Sequence, residues 1–177
     1  FKFIMRKLDI NKIGIDSNSS VDENKRKNER IKLFINLQKN NLSISDIAAL
    51  LSSRLDLTRI LYYNNIYQHI LQKPGVIMEF GVHYGATLSL LQKLRAIYEP
   101  FNYVRKIIGF DTFTGFTHDL TNDEKKKWKK GDYGVTPGYE KILEKILFLE
   151  EKNAPINHLK KFELIKGDAS ITVKDYL

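Results

Sequence analysis

The sequence predicts an α/β fold: a doubly wound parallel sheet, its first half visible, preceded by amino-terminal helices. Three observations predict it. Short apolar runs at 76–80, 104–110 and 162–165 have the length of strands buried in a parallel sheet. Helical periodicity separates them. Each run also ends on an acid or a glycine, at Glu79-Phe-Gly81, at Asp111 and at Gly167-Asp168. Strand, helix, strand, helix, strand is half of a doubly wound sheet, and such a sheet binds ligands beyond the carboxyl ends of its strands, near the switch in strand order.

Composition narrows the classes. A chain of 177 residues can build a core without staples. Cysteine is absent, which excludes disulfide frameworks, thiolate zinc sites, cysteine nucleophiles and iron-sulfur clusters. No apolar run approaches the roughly 18 residues that cross a bilayer. The opening Phe1-Lys-Phe-Ile-Met-Arg lacks the apolar core and cleavage site of a signal peptide. A soluble, cytoplasmic protein with no membrane partner is the expectation. There are 29 basic and 21 acidic residues, a net charge of +8. Clustered cations can bind nucleic acid by releasing counterions. Much of this excess lies in two runs, 25–32 and 125–130, which read as solvated faces or mobile segments. Lys, Asn and Ile are enriched throughout, so compositional bias is preferred to a basic groove, and nucleic acid is not the expected partner.

From the amino terminus, residues 9–30 read as a polar arm. Ile31, Phe34, Ile35 and Leu37 predict a short helix ended by Asn40-Asn41. Ser43 and Asp46 stand in capping-box spacing before Ile47, Leu50 and Leu51. A helix over 57–72 carries Ile60, Leu61, Tyr67, Ile70 and Leu71 as its apolar stripe, and Lys73-Pro74-Gly75 stops it. Tyr62, Tyr63 and Tyr67 are read as packing on the core rather than lining a pocket. After the first strand, Leu88, Leu91, Leu94, Ile97 and Tyr98 mark a helix closed by Pro100. Residues 112–138 form a long polar connection with Gly115, Gly131, Gly134 and Gly138, expected to be a mobile loop over a ligand, with Trp128 as a clamp or a bystander. A helix over 139–152 is expected to turn Ile142, Leu143, Ile146, Leu147 and Leu149 inward. His69, His83, His118 and His158 show no zinc-ligand spacing, so no metal ligands are predicted. The chain stops at Asp175-Tyr-Leu177, after the third strand and its turn, and is expected to be part of a longer polypeptide. The organisation predicted is an arm with helices over 1–53 and a ligand-binding α/β domain over 54–177, incomplete at its carboxyl end.

The chemistry gathers where the strands end. Gly81 and Gly85 frame a tight strand-to-helix turn: Gly81 lets a ligand approach the backbone, and Gly85 lets the helix pack closely on the strand. The amides of that helix start favour an anion such as a carboxylate. The G-x-G-x-x-G fingerprint is not met, because Val82 and His83 stand where a second glycine would admit a pyrophosphate, so a nucleoside without a diphosphate fits better than a dinucleotide. Asp111 can accept from both hydroxyls of a ribose, or simply cap the following loop. Asp168 can accept from an adenine amino group with Ala169 leaving room beside the ring, or form an ordinary turn.

Glu79-Phe-Gly-Val-His-Tyr-Gly-Ala-Thr87, Gly109-Phe-Asp-Thr-Phe-Thr-Gly-Phe116 and Lys166-Gly-Asp-Ala169 together resemble the class I S-adenosylmethionine-dependent methyltransferases. They are most like the macrocin O-methyltransferase group, whose marks are a Glu-x-Gly-Val turn and an Asp-Ser-Phe-x-Gly-Leu segment. The resemblance covers about residues 54–177. It implies a Rossmann-like sheet and S-adenosylmethionine as cofactor. Glu79 and the backbone of Gly81 to Gly85 would hold the methionine end, with Phe80, His83, Tyr84 and Thr87 counted in the same binding set. Asp111 would hold the ribose, Thr112 and Phe113 would flank the adenine, and Asp168 with Ala169 would edge the base. The family's fourth strand, which supplies a magnesium ligand and the general base, has no counterpart before Leu177. No catalytic residue is therefore named, and magnesium would be held by residues beyond this chain. Thr112 and Phe116 depart from the commonest family residues, which leaves subgroup and substrate open. The expected activity is O-methylation of a small-molecule hydroxyl, on a sugar or natural product, with homo-oligomerisation left open. The rivals are an RNA methyltransferase and a non-catalytic nucleotide-binding α/β domain.

Overall fold

The structure, a computed structural model, describes residues 20–40, 42–118 and 129–177. Along the chain run helices α1 (Val21–Lys39), α2 (Ile44–Leu51) and α3 (Arg54–Ile70), then strand β1 (Ile77–Phe80), helix α4 (Ala86–Tyr98), strand β2 (Ile107–Asp111), helix α5 (Tyr139–Asn153), strand β3 (Phe162–Lys166) and helix α6 (Ala169–Tyr176). Two compact units divide between Leu55 and Asp56. The opening hexapeptide, the first part of the expected arm, Asn41, Trp128 and most of the 125–130 lysine run lie outside the described residues.

In the first unit, the polar arm expected over 9–30 is helical from Val21 onward. The cause is local. Ser20 Oγ accepts from the Glu23 amide (3.2 Å) while the Glu23 carboxylate accepts from the Ser20 amide (2.7 Å), a complete capping box. Asp22 and Glu23 then lie at the positive end of the helix dipole. At the second helix, Ser43 Oγ accepts from the Asp46 amide (3.1 Å), but the Asp46 carboxylate takes the Ser43 hydroxyl (2.6 Å) instead of its amide, so only half of the expected box forms. Arg30 Nη2 donates to the Leu51 carbonyl and ties α1 to the end of α2.

The second unit is α/β, with a parallel three-stranded sheet in the order β1-β2-β3. Central β2 is buried from Ile107 to Phe110, as a parallel strand covered on both faces must be. The first strand departs from the expected double burial: among the described strands β1 pairs with β2 alone, and its Phe80 is 55% exposed. The second strand starts at Ile107 rather than 104, because Asn102 Oδ1 accepts from the amides of Val104 (3.1 Å) and Arg105 (3.2 Å) and holds them in a turn. The core gathers Tyr67 of α3, Leu88, Leu91 and Leu94 of α4, Leu143 and Leu147 of α5, and Phe162 of β3. Tyr63, Tyr67 and Ile70 of α3, with Leu71 just after it, face this core, while Ile60 and Leu61 are exposed. On α5 the inward positions are Leu143, Leu147 and Glu151, one turn apart; the predicted Ile142, Ile146 and Leu149 lie outward. The turn expected after the third strand is helix α6, capped by Asp168.

Charged residues are built into this core. Glu151 accepts from Arg95 Nη2 (2.9 Å) and pairs with Lys161 Nζ (2.6 Å), all three side chains being almost wholly buried. Lys161 also donates to the carbonyls of Pro155 (3.1 Å) and Ile156 (2.8 Å). Buried Arg105 donates to the carbonyls of Ile70 (3.2 Å) and Lys73 (2.7 Å), satisfying the end of α3, and pairs with Glu99, whose carboxylate also accepts from the Tyr67 hydroxyl (2.6 Å) and the Asn102 side-chain amide (2.8 Å). Two cations share Glu151, so its removal strands both in the interior. Glu151→Ala is expected to destabilise the fold by about 3–5 kcal/mol, read as a lowered urea midpoint.

Candidate functional site

A cavity of about 610 Å³ opens at the carboxyl ends of the three strands. The turn after β1 contributes Gly81 and His83; the end of β2 contributes Phe110, Asp111 and Thr112; Asp168 and Ala169 follow β3. The connection after β2 adds Gly115, Phe116, Thr117, His118 and Tyr133. Its size suits a nucleoside-sized ligand.

The turn after β1 is built from left-handed backbone. Gly81, His83 and Gly85 have φ of 81°, 53° and 78°, a conformation that costs little at glycine and about 1–2 kcal/mol elsewhere. A Cβ at Gly81 would meet nothing within 4 Å, so the backbone there is bare to the cavity. Gly85 is short of space for a different reason than expected: a Cβ would overlap Leu143 of α5, not the strand. Asp111 offsets the strain at His83. Its Oδ2 accepts from the His83 amide and its Oδ1 from the Phe113 amide, both at 2.6 Å. Phe113 is also left-handed, with φ 58°. Asp111 therefore caps its own loop and pins the neighbouring turn as well.

The connection is held at its base. Phe116 N donates to Asp132 O (3.0 Å), Gly131 N to Phe116 O (2.9 Å) and Val135 N to Phe113 O (3.3 Å). Gly115, with φ 85°, is in backbone contact with Gly131 and Asp132, where a side chain would not fit. The described ends of the expected mobile loop are thus paired to one another. This pairing brings the Phe116 and Tyr133 rings edge to face at 5.6 Å, with His83 6.4 Å from Tyr133. Asp168 caps α6: its Oδ1 accepts from the amide (2.9 Å) and hydroxyl (2.7 Å) of Ser170, and its Oδ2 from the Thr117 hydroxyl (3.2 Å). The Ser170 hydroxyl and amide, with Thr117, hold its carboxyl below the usual range. Thr117 Oγ1 also lies 3.0 Å from His118 Nδ1, so with its own proton on Asp168 it accepts from the imidazole.

The structure thus gathers Gly81, His83, Asp111, Thr112, Asp168 and Ala169 of the predicted set around one cavity. Phe80, Tyr84, Gly85, Glu79 and Thr87 are not among its lining residues. Phe113, expected beside the base, is 3% exposed and packs in the core, while Phe116 takes a place on the wall. Tyr133, Thr117 and His118 were outside the predicted set. The glycines at 115, 131 and 134 are the sequence signal for the pairing that brings these residues round. Tyr62, Tyr63 and Tyr67 do not line the cavity. Among the described residues no three His, Asp or Glu side chains gather as a metal site, and no helix is long and apolar enough to cross a membrane.

Glu79, beneath the turn, is electrostatically distinct. Its Oε2 is buried without a hydrogen-bond partner. Burial pushes its carboxyl up from 4.5 to about 7, against the pull of Arg59 and a hydrogen bond from Thr87.

No family model matches the chain, and no curated protein does. Solved structures do. The chain is similar to the crystal structure of CalS11, a calicheamicin methyltransferase, with TM-score 0.79 and 33% identity over 90% of this chain and 63% of that one. It is likewise similar to the apo structure of CalS11 described as a TDP-rhamnose 3'-O-methyltransferase of calicheamicin biosynthesis, with TM-score 0.71 and 31% identity over 90% of this chain and 61% of that one. The chain spans a little over three fifths of the length of these structures. Its α/β architecture is the Rossmann-like fold of these methyltransferases.

Two outcomes follow from this geometry. Asp111→Ala leaves two amides of left-handed residues without their acceptor, and is expected to cost about 2–4 kcal/mol in denaturant unfolding without any ligand, with Asp111→Asn costing less. Because the Glu79 pKa is raised in the folded state, its contribution to stability is fully present below pH 4.5 and is lost as pH rises through about 7. Glu79→Gln is expected to flatten that decline in a series of unfolding midpoints across this window.

Proposed function

We propose that this chain carries the cofactor site of an S-adenosylmethionine-dependent methyltransferase that methylates a small-molecule hydroxyl, on a sugar or a natural product. The observation that carries this reading is Asp111 at the end of β2, standing between the bare backbone of Gly81 and the aromatic wall of Phe116 and Tyr133. Two of the structures to which the chain is similar are of CalS11, described as a calicheamicin methyltransferase and a TDP-rhamnose 3'-O-methyltransferase, and this supports the reaction class. The finer likeness to the macrocin O-methyltransferase group rests on the Glu79-Phe-Gly-Val82 and Asp111-Thr-Phe-Thr-Gly-Phe116 segments.

The residues present fit an adenosyl ligand. Each Asp111 oxygen accepts one amide hydrogen and keeps a further lone pair for a ribose hydroxyl. Gly81 presents backbone where a side chain would block approach. Phe116 and Tyr133 form an aromatic wall on one side, and Asp168 offers its remaining acceptor capacity on another. When bound, S-adenosylmethionine supplies a methyl group already activated on sulfonium. The protein's task is then alignment of an acceptor oxygen, a proximity effect. Proton removal from the acceptor is assigned to none of the described residues.

Calorimetric titration of the protein with S-adenosylmethionine and S-adenosylhomocysteine tests the reading. Both are expected to bind, with Asp111→Asn at least roughly tenfold weaker while still folded. Absence of heat with either compound, or equal affinity in the variant, would overturn it. A steep fall in RNA binding with added salt, alongside methyl transfer to RNA, would instead favour a nucleic-acid substrate.

A further inference from the structure

The outer side of α5 carries two rows of side chains that the crevice does not use. Ile142, Ile146 and Leu149 recur at helical spacing and are 56%, 43% and 55% exposed. One residue out of step, Lys141, Lys145, Phe148 and Lys152 form a parallel exposed row. The inward positions Leu143, Leu147 and Glu151 already anchor the helix, so neither outer row is needed to hold it on the sheet.

Between α5 and the start of β3 the lysine row borders a groove of about 400 Å³, lined by Lys141, Glu144, Lys145, Phe148, Lys160 and Phe162. Phe162 is buried, while Phe148 stands half-exposed. The single acid of this lining is already engaged, because Glu144 pairs with Lys160 at 2.7 Å. Lys160 also lies 4.8 Å from the centroid of the Phe162 ring, and Lys152 lies 5.0 Å from that of Phe148 while donating to the Asn157 carbonyl (3.0 Å). Lys141 and Lys145 make no ion pair among the described residues. Apolar rings and uncompensated positive charge thus lie side by side.

The chemistry of an occupant follows from what each row lacks. Lys141 and Lys145, on successive turns of one helix face, lack anions. Ile142, Ile146, Leu149 and Phe148 lack apolar neighbours, and each gains by leaving water. A phosphate polymer answers only the first need, because its charged backbone leaves the aliphatic row uncovered. A flat lipid surface does not enter a groove between a helix and a strand. An acidic segment with apolar side chains at helical spacing answers both needs.

We infer that the outer face of α5 docks an acidic amphipathic helix of a partner protein, its carboxylates on Lys141 and Lys145 and its apolar side chains on Phe148, Ile142, Ile146 and Leu149. The inference does not depend on the adenosyl-donor reading.

The probe is a labelled helical peptide of leucine and glutamate, with the leucines at helical spacing, titrated with the full chain and followed by fluorescence anisotropy. It is expected to bind, and the double substitution Lys141→Glu and Lys145→Glu to weaken it at least roughly tenfold. Phe148→Ala should weaken it by a similar factor. The double substitution Lys25→Glu and Lys27→Glu makes the same charge change at exposed positions of α1 and should leave affinity unchanged, which separates a built surface from general attraction to a cationic chain. None of these side chains is buried, so the variants probe the surface rather than the fold. Failure of the wild-type chain to bind the peptide, or equal weakening by the two charge reversals, overturns the inference. So does an oligouridylate, or a vesicle rich in phosphatidylserine, that binds through Lys141 and Lys145 as tightly as the peptide.

Discussion

One carboxylate organises the crevice. Asp111 takes two amide hydrogens at 2.6 Å, from His83 in the turn after β1 and from Phe113 in its own loop. Both donors belong to residues forced into left-handed backbone, where each would otherwise raise the energy by about 1–2 kcal/mol. The ionised acceptor offsets that strain, because bonds to a charged group are about twice as strong as neutral ones. From this junction the rest is directed: the His83 ring lies beside Tyr133, Phe113 turns into the core, and Thr112 is left facing the cavity.

The opposite end of the sheet is devoted to rigidity. Arg105 and Lys161 stand just before β2 and β3, and both bury their charges on backbone carbonyls and on a carboxylate. The strand starts are joined there too, Ile77 N to Lys106 O (2.9 Å) and Ile107 N to Lys161 O (3.0 Å). Cations buried at the amino-terminal edge fix the strands, and at the carboxyl edge Asp111 and Asp168 cap the segments that follow them and line the cavity.

Much of this was legible from residue pattern, and the failures have identifiable causes. The β2 run was plain because a fully covered strand must be continuously apolar. Asp111 and Gly81 were plain because strand-end position restricts what such residues can do. The first half of α1 was hidden by polarity: before Ile31 it carries no apolar stripe, and the Ser20–Glu23 spacing is what betrays it. On α5 two apolar stripes compete, and burial followed the one bearing Glu151, whose charge argues for the surface until Arg95 and Lys161 are seen beside it. Phe113 and Phe116 could not be sorted by sequence, since the left-handed turn at 113 decides which ring goes inward.

The contact between Gly85 and Leu143 bears on how such a protein can diverge. Position 85 is constrained twice, by a φ of 78° and by the leucine that fills the space where a Cβ would stand. Shrinking residue 143 would relieve the second constraint and leave the first. Mutational drift at this junction therefore has a ratchet: no substitution on α5 can release the glycine, and lineages that keep the turn should remain invariant at 85.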